Sequence, residues 1–257
     1  VQNGSDKIGG SAVNAVLSNE GLAVTLVYVD ATQGWLVTDN GTQDTASTAQ
    51  YVTATGGTIT CSGDYRIHTF TGPGALCVSN AGNSCGSNTV DYLIIGGAGG
   101  GGRNRGGGGG AGGYRESPGV ASGSYSVSPL GVSPAVALPV AVTPYPVTVG
   151  AGGADSTGVC ARGSDGSNST FAGSSTITST GGGGGGSSHS TVPVPASYFR
   201  WPGNPGGSGG GASGYLSPAD TGTGGVGNTP PVSPPQGNTG GTKNTGGDQG
   251  GGGAGGA

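Results

Sequence analysis

The chain is poor in nearly everything that normally builds a folded domain or a chemical site. Only 8% of its residues are charged and 5% aromatic, and methionine is absent. With eight basic residues and a net charge of −4 it has no positive stripe, so nucleic acid is not expected as a partner. No uninterrupted run of about 18 apolar residues exists, so a membrane-spanning helix is not expected. The nearest approach, 132–149, is broken by Pro134, Pro139, Pro144 and Pro146. Helical periodicity is missing, and Ala, Leu and Glu are too scarce to supply it, so essentially no α-helix is expected. His68 and His189 stand far apart and the four cysteines form no CxxC pair, which offers no zinc site. Cys77 and Cys85 flank the turn 79–83; a disulfide there and free buried thiols are both open readings. The twelve acids are scattered, with no HExxH and no Ser/His/Asp grouping, so neither catalysis nor a cofactor is expected. Gly97–Gly102 satisfies GxGxxG after an apolar strand. The dinucleotide fingerprint also needs a following helix, and Arg103-Asn104-Arg105 plus glycine cannot form one. A start at Val1 without any methionine points to a processed or partial chain.

What is present is glycine: 64 of 257 residues, several times the usual share of about 7%. It sits in runs such as Gly99–Gly102, Gly106–Gly110, Gly181–Gly186 and Gly250–Gly253. An extended helix with three residues per turn makes no internal hydrogen bonds and turns its amides outward. Such helices can bond to one another, and close packing on every side leaves room for no Cβ. Ordering a residue costs roughly 1–2 kcal/mol. One net N–H···O bond returns about 0.5–1.5 kcal/mol, and each close Cα–H···O contact about 0.5–1 kcal/mol. The two sides nearly balance, so flanking β-structure must tip them. Glycine-rich stretches are read at 96–102, 106–113, 150–153, 181–186, 206–214, 222–227, 237–241 and 246–257. If successive runs alternate direction, one pole collects 103–105, 154–180, 215–221 and 242–245. The other then collects 114–149, 187–205 and 228–236.

Elsewhere the patterning is β. Residues 23–29 and 35–38 form a hairpin around Asp30–Gly34, with Tyr28 and Trp35 packing across it. Further strands are expected at Tyr65–Phe70, Leu76–Val78, Val90–Ile95 (buried), Tyr125–Val127 and Tyr145–Val149. His68, alternating with Arg66 and Phe70, faces a neighbour. Three regions follow: a β-segment at 1–48, a β-sandwich-like domain at 49–149 with the first glycine helices inserted at 96–113, and a glycine-helix bundle with exposed loops at 150–257.

Several stretches together resemble the glycine-rich domain of bacteriophage tail fibres. They are Asp91–Gly97, Gly106–Gly113 with Tyr114-Arg115, Tyr145–Gly153, Thr178–Gly181 and Asn228–Asn238. The opening segments Gln2–Lys7 and Tyr28–Trp35 are similar to fibre stem or tip segments. The resemblance implies an all-β chain with a polyglycine II helix bundle and a fibre-like N-terminal β-segment. It also implies a receptor-binding adhesin at the tip of a virion's tail fibre, outside the cell. The expected partners are a bacterial surface glycan or outer-membrane protein, other tail fibre segments, and two further copies in a homotrimer through the N-terminal β-segments. The alternative is a passive glycine-rich fibre or matrix protein without a specific ligand.

For the binding residues, Tyr198-Phe199-Arg200-Trp201 concentrates three aromatics and a cation, the residue types that dominate hot spots. His189 belongs to the same segment, and Tyr215 is a weaker second position. The competing role for Phe199 and Trp201 is to cap the glycine bundle. Asn228–Gln236, with four prolines, reads as a rigid turn.

Overall fold

A computed structural model describes residues 7, 24–39, 49–84, 86–117, 137–158, 161–189, 199–214 and 222–243. Among these residues there is no α-helix, and none of the elements is a helix long and apolar enough to cross a membrane. The chain is all-β, with one five-stranded sheet and several two-stranded ones. It divides into two compact units, one of residues 1–50 with 83–86 and one of residues 51–82 with 87–257.

In the first unit, β1 (Thr25–Asp30) and β2 (Gly34–Asp39) form the expected hairpin. Asp30 closes its turn by accepting the amides of Thr32 and Gln33, each at 2.7 Å. Gly34 has φ +70°, and a Cβ there would lie 2.0 Å from the Lys7 carbonyl oxygen, so glycine is required twice over. Tyr28 sits opposite Trp35 with ring centroids 5.5 Å apart, edge to face. All six residues of β1 are exposed.

The second unit begins with β3 (Val52–Thr55), β4 (Thr58–Ser62), β5 (Tyr65–Thr69) and β6 (Gly74–Ala81). Then come β7 (Thr89–Val90), β8 (Leu93–Ile95), β9 (Tyr114–Glu116), β10 (Leu138–Pro139) and β11 (Pro144–Thr148). The last four are β12 (Ser169–Ala172), β13 (Thr176–Ser179), β14 (Ser188–His189) and β15 (Phe199–Arg200). The large sheet runs β13-β12-β11-β6-β3, antiparallel throughout. Strands from 169–179 thus hydrogen-bond into a sheet whose other members lie between 52 and 148. Its inward residues, Ala54, Leu76, Val78, Tyr145, Phe171 and Ile177, make the apolar core with Leu138. Tyr145 and Phe171 stack at 5.7 Å. The Tyr145 hydroxyl accepts the Ala141 amide at 2.6 Å, so its polar tip is satisfied despite burial. On β5, His68 Nδ1 meets the Gly56 carbonyl at 2.8 Å, so this ring faces a neighbour as expected.

The single buried strand expected at Val90–Ile95 is instead two. β7 pairs with β10, whereas β8 pairs with β9, and Leu93 and Ile95 are exposed. Asp91 and Tyr92 break the run. The Ser117 hydroxyl donates to Asp91 Oδ1 at 2.8 Å and accepts the Tyr92 amide, while the Ser117 amide donates to the Tyr92 carbonyl. A polar staple therefore stands where an uninterrupted apolar ladder was expected. The expected strand at Tyr125–Val127 lies outside the described residues. Cys61 and Cys77 carry free, exposed thiols; Cys85, the partner considered for Cys77, also lies outside them.

Nine extended runs make up most of the rest of the described second unit: 96–102, 107–113, 150–157, 161–168, 180–187, 201–207, 208–214, 222–228 and 236–243. Their backbone hydrogen bonds recur every third residue. The amides of Gly96, Gly99 and Gly102 donate to the carbonyls of Gly113, Gly110 and Gly107. The intervening amides of Gly97 and Gly100 donate to Ser167 and Ser164. The falling numbers make both pairings antiparallel, and the same reading applied along the chain shows that consecutive runs alternate direction. Run 161–168 and residues 201–205 of run 201–207 were expected to be loop. These two runs carry glycine at every third position, Gly163 and Gly166, Gly203 and Gly206, with Gly207 added at the junction with the next run.

None of the glycines in these runs has a left-handed φ. They are glycine for lack of space. Run 180–187 shows this most fully, because Gly181–Gly186 are all buried. A Cβ on Gly181 or Gly184 would lie 1.9 or 1.8 Å from carbonyl oxygens of run 161–168. One on Gly182 or Gly185 would lie 2.0 Å from run 107–113, and one on Gly183 1.9 Å from Asn204 O. Each of three phases meets a different backbone.

Candidate functional site

The alternation decides which connections share an end. Runs 96–102, 150–157, 180–187, 208–214 and 236–243 point one way and the other four point back. The turn 103–105, the connections leaving at 158, 189 and 214, and residue 243 therefore lie at one end. Residues 114–117, 137–149, 169–179 and 229–235 lie at the other, which is the end of the β-sheet. This corrects the pole expected for 187–205, whose described residues 187–189 and 199–201 fall beside 103–105. Two contacts fix the point directly: the Arg103 amide donates to Ser187 Oγ at 2.8 Å, and the Ser188 hydroxyl donates to the Asn104 carbonyl.

At this end β14 and β15 pair, with Ser188 opposite Arg200 and His189 opposite Phe199. His189, Phe199 and Arg200 are thus brought together at the backbone level. Tyr198 and Tyr215 lie outside the described residues. Trp201 follows directly, its amide donating to the Ser187 carbonyl at 2.9 Å. The Arg162 guanidinium lies over its ring at 5.3 Å from the centroid. Arg162 then donates to Asn204 Oδ1 at 2.7 Å, and Asn204 Nδ2 donates to Asp165 Oδ1 at 2.8 Å. The cation on one side and the carboxylate on the other fix the orientation of the Asn204 amide. Asp165 also accepts the Gly184 amide at 2.7 Å. Two buried N–H groups in this cluster, Arg162 Nε and Trp201 Nε1, have no hydrogen-bond partner.

Arg162, Asp165 and Asn204 were not expected here. The signal was available in the spacing: Arg162, Asp165 and Asn168 recur every third residue and so share one face of their run. Asn168 accepts the Gly181 amide just as Asp165 accepts that of Gly184. Side-chain oxygens here replace the backbone acceptors of a further run. The backbone of Trp201 belongs to run 201–207, and its half-buried ring packs under Arg162.

The opposite end is closed differently. Asn228, at φ +50°, accepts the amides of Val232 and Gln236 through Oδ1. Gln236 is fully buried; its Oε1 accepts the Thr180 amide at 2.9 Å and its Nε2 donates to the Pro230 carbonyl at 3.0 Å. The proline-rich segment is the rigid turn its sequence indicates. Among the described residues no group of three or more His, Cys, Asp or Glu could hold a metal ion.

No curated protein and no solved structure matches the chain. A family model for a glycine-rich domain matches residues 79–257, well over half of the sequence and all nine runs. The chain belongs to this glycine-rich domain family.

Proposed function

We propose that this protein is a receptor-binding adhesin at the tip of a bacteriophage tail fibre, with its glycine runs packed as polyglycine II helices. The observation that carries this reading is the alternation of the runs. It gathers the turn 103–105, the β14–β15 hairpin and Trp201 at one end of a shaft whose interior has almost no side chains. Such a shaft contributes stiffness and little chemistry, whereas its end carries Arg103, Arg105 and Trp201 on a rigid base. Rigid display lowers the ordering cost of association. The receptor is a glycan or outer-membrane protein on the bacterial surface, and binding involves no catalysis and no cofactor. The N-terminal hairpin, exposed along the whole of β1, joins other fibre segments and two further copies of the chain.

The test is adsorption of the labelled full-length chain to a panel of bacterial strains, with and without replacement of residues 189–200 by a glycine–serine linker. The proposal expects strain-selective adsorption that the replacement abolishes. Absence of adsorption across the panel, or undiminished adsorption after replacement, contradicts it and favours a passive structural role. Light scattering tests the assembly: three times the chain mass is expected, and a monomer would refute the trimer.

A further inference from the structure

We propose that the display end binds an anionic polysaccharide, with the turn Arg103-Asn104-Arg105 as the centre of the site. This rests on the receptor-binding reading and specifies its ligand chemistry. The first observation is where the cations are. The chain as a whole is negative, yet four of its eight basic residues, Arg103, Arg105, Arg162 and Arg200, belong to this one end, where Lys243 is buried. The described carboxylates there are turned toward amide hydrogens. Asp155 accepts the Gly101 amide at 2.7 Å, and Asp165 accepts Gly184 N and Asn204 Nδ2.

The second observation is the conformation of the turn. Asn104 and Arg105 have φ of 53° and 55°, the left-handed region that is unfavourable for residues with a Cβ. Glycine adopts it freely, and glycine fills the positions on both sides, 101–102 and 106–110. The turn instead carries three exposed polar side chains, two of them cationic. Its backbone is fixed from two runs. Arg103 N and Asn104 O bond to the hydroxyls of Ser187 and Ser188, and Gly214 N donates to Arg105 O at 2.8 Å. This is a pre-organised cationic knuckle whose side chains are kept at a conformational cost.

Guanidinium groups bind carboxylates and phosphates through paired N–H donors. A few such groups on a net-negative protein suit a polymer with widely spaced anions. Nucleic acid carries one charge on every nucleotide and calls for a dense basic stripe. A polysaccharide bearing occasional uronate or phosphate groups fits these few guanidinium groups, with Asn104 beside the arginines to meet hydroxyl groups.

The experiment uses the full chain against immobilised, sparsely carboxymethylated dextran, sparsely phosphorylated dextran and neutral dextran. Retention on one or both polyanions and not on neutral dextran is expected; the arm that binds distinguishes carboxylate from phosphate. Binding should weaken several-fold between 50 and 300 mM salt as screening shortens to about 6 Å. The R103Q/R105Q variant should bind at least tenfold more weakly. Arg105→Gly should lose binding while its Tm stays the same or rises, because glycine relieves the left-handed strain; Arg105→Lys should retain part of the affinity. Equal binding to neutral dextran, full affinity in R103Q/R105Q, or preference for a single-stranded oligonucleotide of equal charge would overturn the assignment. If the chain adsorbs to bacteria and R103Q/R105Q adsorbs equally, this site fails and the adhesin reading stands. If polyanions are bound through the turn but no bacterium is, the adhesin reading fails and the site stands.

Discussion

Runs 180–187 and 161–168 lie side by side and share the same period-three bonding, yet their compositions are opposite. The first is glycine at every position from 181 to 186; the second, Ala-Arg-Gly-Ser-Asp-Gly-Ser-Asn, has glycine only at 163 and 166. The difference is the number of faces covered. Run 180–187 bonds with runs 96–102, 107–113, 161–168, 201–207 and 208–214. In run 161–168, Ser164, Asp165, Ser167 and Asn168 are exposed, while a Cβ on Gly163 or Gly166 would strike a carbonyl of run 96–102 at 2.0 Å. Glycine content therefore counts neighbours. Poly-glycine marks the interior of the bundle, and glycine at every third residue marks its rim.

The largest test of this comparison is Gly184→Ala against Ser164→Ala. The first places a methyl 1.8 Å from the Gly163 carbonyl oxygen, where all three nearest atoms are backbone and none can rotate away. Its cost should be at least about 3 kcal/mol in denaturant unfolding, with exposed Ser164→Ala within about 0.5 kcal/mol of the parent. Similar effects at the two positions would break the comparison.

Gln236→Leu comes next. It leaves the Thr180 amide without its acceptor and the Pro230 carbonyl without its donor, and should cost about 1–3 kcal/mol for each group left buried and unpaired. A loss below about 1 kcal/mol in the same assay would mean that this end is not held by the glutamine.

A smaller effect of opposite sign is expected at Gly152, the glycine of run 150–157 whose added Cβ would meet only Ala98 O, at 3.7 Å. Gly152→Ala should be neutral or stabilising by up to about 1 kcal/mol, because it restricts the unfolded chain. The smallest effect separates the β-layer from the bundle. Burial raises the Tyr92 phenol above its ordinary 10.0, with Arg115 partly offsetting this. The folded state thus holds the proton more tightly than the unfolded one. The stability this contributes is complete below pH 10 and is lost as pH rises through the folded value. Tyr92→Phe should flatten the fall in stability above pH 10 measured by chemical denaturation; an unchanged slope would assign it elsewhere.

Much of the β-structure was legible in the sequence. The hairpin around Asp30–Gly34, the strands at 65–69 and 144–148, the centre of the strand at 74–81, and the pairing of Tyr28 with Trp35 all follow from alternation and turn chemistry. The break at Asp91-Tyr92 was not, because it depends on Ser117, distant in sequence. The rim runs were missed because density of glycine was read in place of its spacing. Omitting run 161–168 reversed the direction assigned to 180–187, which put 187–205 at the wrong end. Omitting 201–207 restored the direction for everything after it. For the site, Trp201 and its hairpin stood out as an aromatic cluster. Arg162, Asp165 and Asn204 did not, since only period-three spacing places them beneath it.

Backbone amide exchange of the full chain, resolved by NMR, tests the central claim most directly. If each run is held by its neighbours' carbonyls, the amides of Gly182, Gly183, Gly185 and Gly186 should be among the slowest in the protein. Their acceptors are Gly97, Ser208, Gly100 and Gly211. Exchange at the rate of an unstructured glycine peptide would contradict the account.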